Sequence, residues 1–288
     1  MIKEASENTS LELNRQFLQQ YSSEETIRKY LKNTAGYGIS YLLEHDYGEL
    51  YLEVIEQYIP RERTQKGIRL WEFGCGGGMN LIHVTSLLDR LGIAVDCAYG
   101  TDFSEGLIAG ATREKAAYLR PELAQKVRFC VARNEDLIED VSRTMGVPKE
   151  SLANSFDLVL GVNTIRYCHR LNTEDRCVNA IRDLLIPGGV CIIIDMNQKF
   201  PAFRSRIQDK LTKDAAAYRL PSLSEYARPF SSAGFEILRT NNFCWIPHSA
   251  GRTLTTVMKA ASPVLNAIVP NRAMRSLVIS RKPLAAGR

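Results

Sequence analysis

No stretch of this chain reaches the ~18 consecutive apolar residues that a membrane span requires. Its polar start, Met1-Ile2-Lys3-Glu4-Ala5-Ser6-Glu7, lacks the apolar core of a signal peptide. A cytoplasmic protein with no membrane partner is therefore expected. The seven cysteines are odd in number and include no C-x-x-C, so neither a disulfide framework nor a zinc site is indicated. Cys97, Cys130 and Cys191 lie in apolar runs, where a free thiol packs as a small hydrophobe. Charge is not massed either. At a net +5, Lys and Arg are interleaved with Asp and Glu, which argues against a nucleic-acid partner. The densest basic cluster, Arg61, Arg63 and Lys66, reads as a solvated linker. Repeats, low-complexity tracts and metal-ligand clusters are missing as well, and no metal is expected.

What is present is a chain of 288 residues, 45% of them apolar, long enough to bury about three quarters of its unfolded surface. Residues 1–66 read as a helical cap. Ser22 or Ser23 can cap a helix starting at Glu24, and Tyr47 to Tyr58 carries apolar residues at helical spacing. Between them, Asn33-Thr34-Ala35-Gly36-Tyr37-Gly38 reads as a turn. From 67 to 288 strands alternate with helices, the pattern of a mostly parallel sheet. Strands are predicted near 68–73, 94–101, 127–132, 156–162, 189–196, 235–245 and 275–281, with Pro187-Gly188-Gly189 turning the chain into the fifth. The long connection 197–226 reads as a helical lid.

The densest chemical signal is Glu72-x-Gly74-x-Gly76-x-Gly78, set between the apolar run Ile68-Arg69-Leu70 and an amphipathic segment starting at Leu81. Glycine serves where backbone approaches a ligand or adopts positive φ. The spacing is not the dinucleotide fingerprint, because Met79 stands where a third glycine is required, and this disfavours a nicotinamide-linked oxidoreductase. A second apolar run ends in Tyr99-Gly100-Thr101-Asp102-Phe103-Ser104, and an acid at a strand tip can take both hydroxyls of a ribose. This combination resembles the S-adenosylmethionine (SAM) site of the class I methyltransferases. The resemblance implies an α/β, Rossmann-like, seven-stranded sheet flanked by helices, its seventh strand antiparallel beside the fifth. It implies SAM as cofactor, with S-adenosylhomocysteine as product. Gly74, Gly76 and Gly78 would pass under the methionine part, Glu72 would hold its amino end, Asp102 would bind the ribose and Phe103 would lie on the adenine. The family's adenine-binding Asp is replaced by Arg133, which cannot accept a hydrogen bond. Asn134 or Glu135 would then substitute. Asn163 would sit at the cofactor's methyl end.

Methyl transfer from a sulfonium is an in-line displacement governed by positioning and exclusion of water. His169 and His248 are candidate bases, and Tyr167 falls just past the fourth strand with His169. Tyr21 is expected to anchor the cap over the cofactor, completing a catalytic set of His169, Tyr167 and Tyr21. Tyr37, Tyr41, Phe200, Phe203, Trp245 and His248 are candidate acceptor-binding residues. The Asn/Asp-Pro-Pro-Tyr-like motif of enzymes that methylate amino groups of nucleic acids and proteins is absent; Asn163-Thr164-Ile165-Arg166 stands in its place. A small, rather apolar acceptor follows. In layout the chain is similar to bacterial natural-product methyltransferases that methylate a prenyl double bond, a group including the methyltransferase-cyclase of teleocidin formation. That likeness implies C-methylation of an isoprenoid-like alkene in secondary metabolism. The alternatives are O- or N-methylation of a phenolic, quinone-like or amine acceptor and, from another class, a non-catalytic SAM-binding protein. A homo-oligomer is expected.

Overall fold

A computed structural model describes residues 23–33, 36–201 and 220–284. The chain opens with helices α1 (Glu24–Asn33), α2 (Tyr37–Glu44), α3 (Asp46–Tyr58) and α4 (Arg61–Lys66). Ser23 caps α1 by accepting from the Thr26 backbone N–H at 3.3 Å. Strand β1 (Ile68–Phe73) follows, then α5 (Met79–Arg90), β2 (Val95–Asp102), α6 (Glu105–Tyr118), α7 (Pro121–Lys126) and β3 (Val127–Val131). The second half runs through α8 (Leu137–Met145), β4 (Phe156–Val162), α9 (Ile165–Arg170), α10 (Glu174–Leu184) and β5 (Leu185–Met196). It ends with α11 (Leu223–Ser232), β6 (Glu236–Phe243), α12 (Arg252–Ile268) and β7 (Arg275–Arg281).

The seven strands form one sheet in the order β3-β2-β1-β4-β5-β7-β6. The first five pair in parallel, and β7 runs antiparallel to both β5 and β6. Side-chain alternation along the strands builds two cores. Leu70, Leu158 and Ile192 face a layer containing Tyr47, Tyr51 and Val54 of α3 and Leu81 of α5. Trp71, Val159 and Ile193 face the opposite layer, with Val141 of α8, Ile181 of α10 and Phe230 of α11.

Two local features depart from the sequence reading. The ladder continues through Pro187-Gly188-Gly189: Phe156 pairs with Leu185 and Leu158 with Val190, so the expected turn is a bulge inside β5. The basic cluster Arg61 to Lys66 is not merely a solvated linker. Arg63 Nε donates to buried Asp157 at 2.7 Å and the Arg69 backbone N–H donates to the same carboxylate at 2.9 Å, tying α4 to β1 and β4. Asp157→Ala should lower the unfolding free energy by about 1–3 kcal/mol, read from the urea midpoint. Tyr21, Phe203, residues 1–22 of the expected cap and 202–219 of the expected lid lie outside the described residues. Among the described residues no helix is long and apolar enough to cross a membrane.

Candidate active site

In an open parallel sheet ligands settle outside the carboxyl ends of the strands, where strand order reverses. Here that point lies between β1 and β4. The loop leaving β1 carries Gly74, Gly76 and Gly78 at φ +60°, +54° and +77°, a region that favours glycine. A Cβ on Gly78 would lie 2.5 Å from the Phe129 ring and 2.8 Å from Ala111, so this glycine serves packing. On Gly76 a Cβ would meet nothing within 4 Å among the described residues, so the middle of the loop faces away from them.

Two buried carboxyls flank that loop. Asp102, at the tip of β2, accepts from the Gly76 backbone N–H at 3.0 Å and from that of Ser104 at 2.9 Å. Burial pushes its carboxyl up to about 6, against the pull of those backbone bonds. Glu72 is 2% exposed; one oxygen accepts from Asn80 Nδ2 at 2.9 Å and the other has no hydrogen-bond partner among the described residues. Burial raises Glu72 to about 8, offset in part by the Asn80 and Leu81 hydrogen bonds. Tyr51 of α3 donates to Asn80 at 2.9 Å and so positions the amide that holds Glu72. An orphaned acid oxygen, an open glycine turn and a strand-tip acid suit the ammonium, the backbone approach and the ribose of SAM.

The remaining cofactor candidates gather nearby with more committed contacts. Asn134 donates to Thr164 Oγ1 at 3.2 Å and to Cys168 Sγ at 3.5 Å. Glu135 pairs with Arg133 at 2.6 Å. Phe103 directly follows Asp102. Asn163 ends β4 at φ +56° and accepts from Arg275 Nη1 at 3.0 Å.

The acceptor candidates divide. His248, half-buried, shares a 3.1 Å hydrogen bond with the Tyr47 hydroxyl. Its imidazole is pushed well below the usual histidine range, first by burial and then by the cations of Arg275 and Arg166. Trp245 is buried, donates to Asn266 at 2.7 Å and lies 6.5 Å from the Phe200 ring. Tyr41 packs under Lys259, whereas Tyr37 is 44% exposed beneath Arg252. His169 faces Glu174, Nδ1 to Oε1 at 3.2 Å. The Tyr167 hydroxyl accepts from Arg166 at 2.7 Å.

Sequence reasoning missed the polar cluster at this end of β4, β5 and β7. Arg166 donates to Asp195 at 2.7 Å, and Asp195 also accepts from the backbone N–H groups of Arg166 and Met196. Arg275 and the Tyr226 hydroxyl, which donates to the Met196 carbonyl at 3.1 Å, complete it. One signal was present: Asp195 is a lone acid closing the apolar run Val190 to Ile194, and charge at the end of a central strand marks a site.

A family model described as a methyltransferase domain matches residues 64–259. Over 153 residues the chain is 26% identical to the citrinin polyketide synthase of Monascus ruber, a match covering 53% of this chain. The chain spans only 5% of the length of that relative. It superposes on the CMeT domain of a citrinin polyketide synthase with a TM-score of 0.59 at 18% identity, covering 93% of this chain and 60% of that one. For the DszA carbon methyltransferase the TM-score is 0.59 at 16% identity, with coverages of 94% and 61%. At these identities the likeness is one of fold.

Proposed function

This chain belongs to the methyltransferase-domain family, and on that premise we propose that it is a SAM-dependent enzyme that methylates a carbon atom of a small natural-product acceptor. One observation carries the cofactor half of this reading. Glu72 and Asp102 flank a glycine turn that opens on the space between them. When bound, SAM supplies the electrophilic methyl group. Glu72, Gly74, Gly76, Gly78 and Asp102 then hold the cofactor, with Phe103, Asn134, Glu135 and Asn163 bordering it. Tyr41, Phe200, Trp245 and His248 border the acceptor. Carbon as the methylated atom is supported by the names of the similar proteins, a CMeT domain and a carbon methyltransferase.

The electrostatics favour one kind of carbon. Attack by an alkene leaves a carbocation, and a site with Arg166 and Arg275 against the single carboxylate of Asp195 opposes new positive charge. A carbon beside a carbonyl, reacting as its enolate, suits that field better than the isoprenoid alkene. Such a carbon needs a base, and His248 is a poor one, because the burial and the Arg275 and Arg166 cations that hold it neutral also oppose its protonation. His169 with Glu174 is the alternative base.

Thermal unfolding with and without S-adenosylhomocysteine tests the cofactor half, with NAD as control. S-adenosylhomocysteine at 100 times its dissociation constant adds about 2.7 kcal/mol. Asp102→Ala should weaken its binding on the order of 10- to 100-fold, the loss of one charge-assisted set of hydrogen bonds. A midpoint raised by NAD but not by S-adenosylhomocysteine would refute the reading. Locating the new methyl group in the product by carbon NMR separates transfer to carbon from transfer to oxygen or nitrogen.

A further inference from the structure

Arg275 opens β7 at the carboxyl edge of the sheet, opposite Met196 of β5. It is 3% exposed. Its Nη1 donates to Asn163, while its buried Nε has no partner among the described residues. Among the described residues no carboxylate pairs with it. Asp195, the acid in the same cluster, is already engaged by the Arg166 guanidinium and two backbone N–H groups. The other groups facing Arg275 bring no negative charge: Tyr47 and Tyr226 are phenols that burial holds in the neutral form, and His248 is neutral. A guanidinium taken out of water without a counter-charge is costly, and a carboxylate is the usual answer within a protein.

The position of this cation ties it to the proposed site. Asn163, which holds it, adjoins Thr164. A side chain on Gly74 of the cofactor loop would run directly into the Thr164 side chain. Arg275 is therefore one residue removed from the floor of the glycine turn, on the side where the acceptor candidate His248 meets Tyr47. A guanidinium fork with a free donor in such a place is suited to an oxyanion, which it can engage through more than one N–H.

We propose that the acceptor is an acid whose oxyanion, a carboxylate or an enolate, seats on the Arg275 guanidinium. This rests on the reading of the same site as the active site of a SAM-dependent methyltransferase. The seat selects anionic acceptors over neutral ones of the same shape and orients the reacting carbon relative to Asn163 and the cofactor loop.

The test uses the full chain saturated with S-adenosylhomocysteine, titrated calorimetrically with hexanoate, with its neutral isostere hexanamide and with acetylacetone as a source of enolate. Binding of hexanoate or acetylacetone, without binding of hexanamide, supports the seat; whichever anion binds identifies the source of the negative charge. Arg275→Gln keeps a donor for Asn163 and should weaken the anion at least tenfold while leaving S-adenosylhomocysteine affinity within twofold. Arg275→Lys should recover part of the anion binding. With the counter-charge demand removed, Arg275→Gln should also unfold no earlier than the wild-type protein when no anion is present. Should that variant fail to fold, the wild-type contrast between hexanoate and hexanamide still decides. Equal binding of the two, or no anion binding to the saturated protein, overturns the seat and leaves the cofactor site standing. Failure of S-adenosylhomocysteine itself to bind overturns the methyltransferase reading instead.

Discussion

Gly78→Ala is expected to destabilise the fold by about 2–5 kcal/mol, the sum of a left-handed backbone penalty and an overpacked contact. At φ +77° a Cβ would drive into the Phe129 ring and Ala111, which belong to β3 and α6 and cannot both yield. Gly76→Ala should behave differently. Its φ of +54° costs about 1–2 kcal/mol, yet a Cβ there meets no atom of the described residues within 4 Å. The added methyl group instead occupies the space into which the cofactor's backbone contacts would fit. The expected result is a protein that folds cooperatively and has lost S-adenosylhomocysteine affinity by a factor on the order of 100. Urea midpoints and calorimetric titration of both variants separate the two effects. A Gly76→Ala protein that binds with wild-type affinity would show that the loop is only a turn.

Glu72 gives the second large effect. With its pKa raised by burial to about 8, it is mostly a neutral acid at pH 7 in the free protein. The cofactor's amino group carries a positive charge, which favours the carboxylate. Binding at pH 7 should therefore release close to one proton, seen as a binding enthalpy that varies with the ionisation enthalpy of the buffer. Affinity should rise about tenfold per pH unit below pH 8 and level off above it. Asp102, raised to about 6, steepens the dependence below that point. The stability of the free protein has the opposite slope. A carboxyl raised on folding contributes stability fully below its unfolded value of 4.5, and that contribution fades as pH climbs through 8. Glu72→Gln should accordingly raise the thermal midpoint of the free protein at pH 8.5, flatten the pH dependence of binding and weaken the cofactor. Unchanged proton release in that variant would assign the proton to another group.

The sheet and the glycine loop were legible in the sequence because their signals are local. The central strands β1, β4 and β5 are apolar runs of their own, whereas β6 is mostly polar, and Glu72, Gly74, Gly76 and Gly78 follow one another within seven residues at the end of β1. Asp102 was legible as the acid closing a strand. The clusters around His248 and Arg275 were not, because they are assembled over long distances: Tyr47 meets His248, and Asn163 meets Arg275. No periodicity connects such residues. His169 drew notice for its nearness to β4, yet its nearest charged partner is Glu174, within the same helix–turn–helix stretch. Arg166, three residues earlier, forms the buried link to Asp195 instead. The β5 bulge escaped for a related reason: Pro-Gly-Gly is a turn signal when read alone, and only the neighbouring β4 shows that the ladder continues past it.

Tyr47 and Tyr51 stand one helical turn apart on α3, the first bonded to His248 and the second to the amide that holds Glu72. One rigid rod thus touches both the Glu72 amide and His248, but the groups it meets come from different parts of the chain. Glu72 and Asn80 belong to the first strand and the helix after it, whereas His248 and Arg275 flank α12 near the carboxyl end. Such a division lets descendants of this protein exchange substrates by rewriting the last two strands and the helix between them. Evolution can then rework the groups at one end of the rod while leaving Glu72 and the amide that holds it intact at the other.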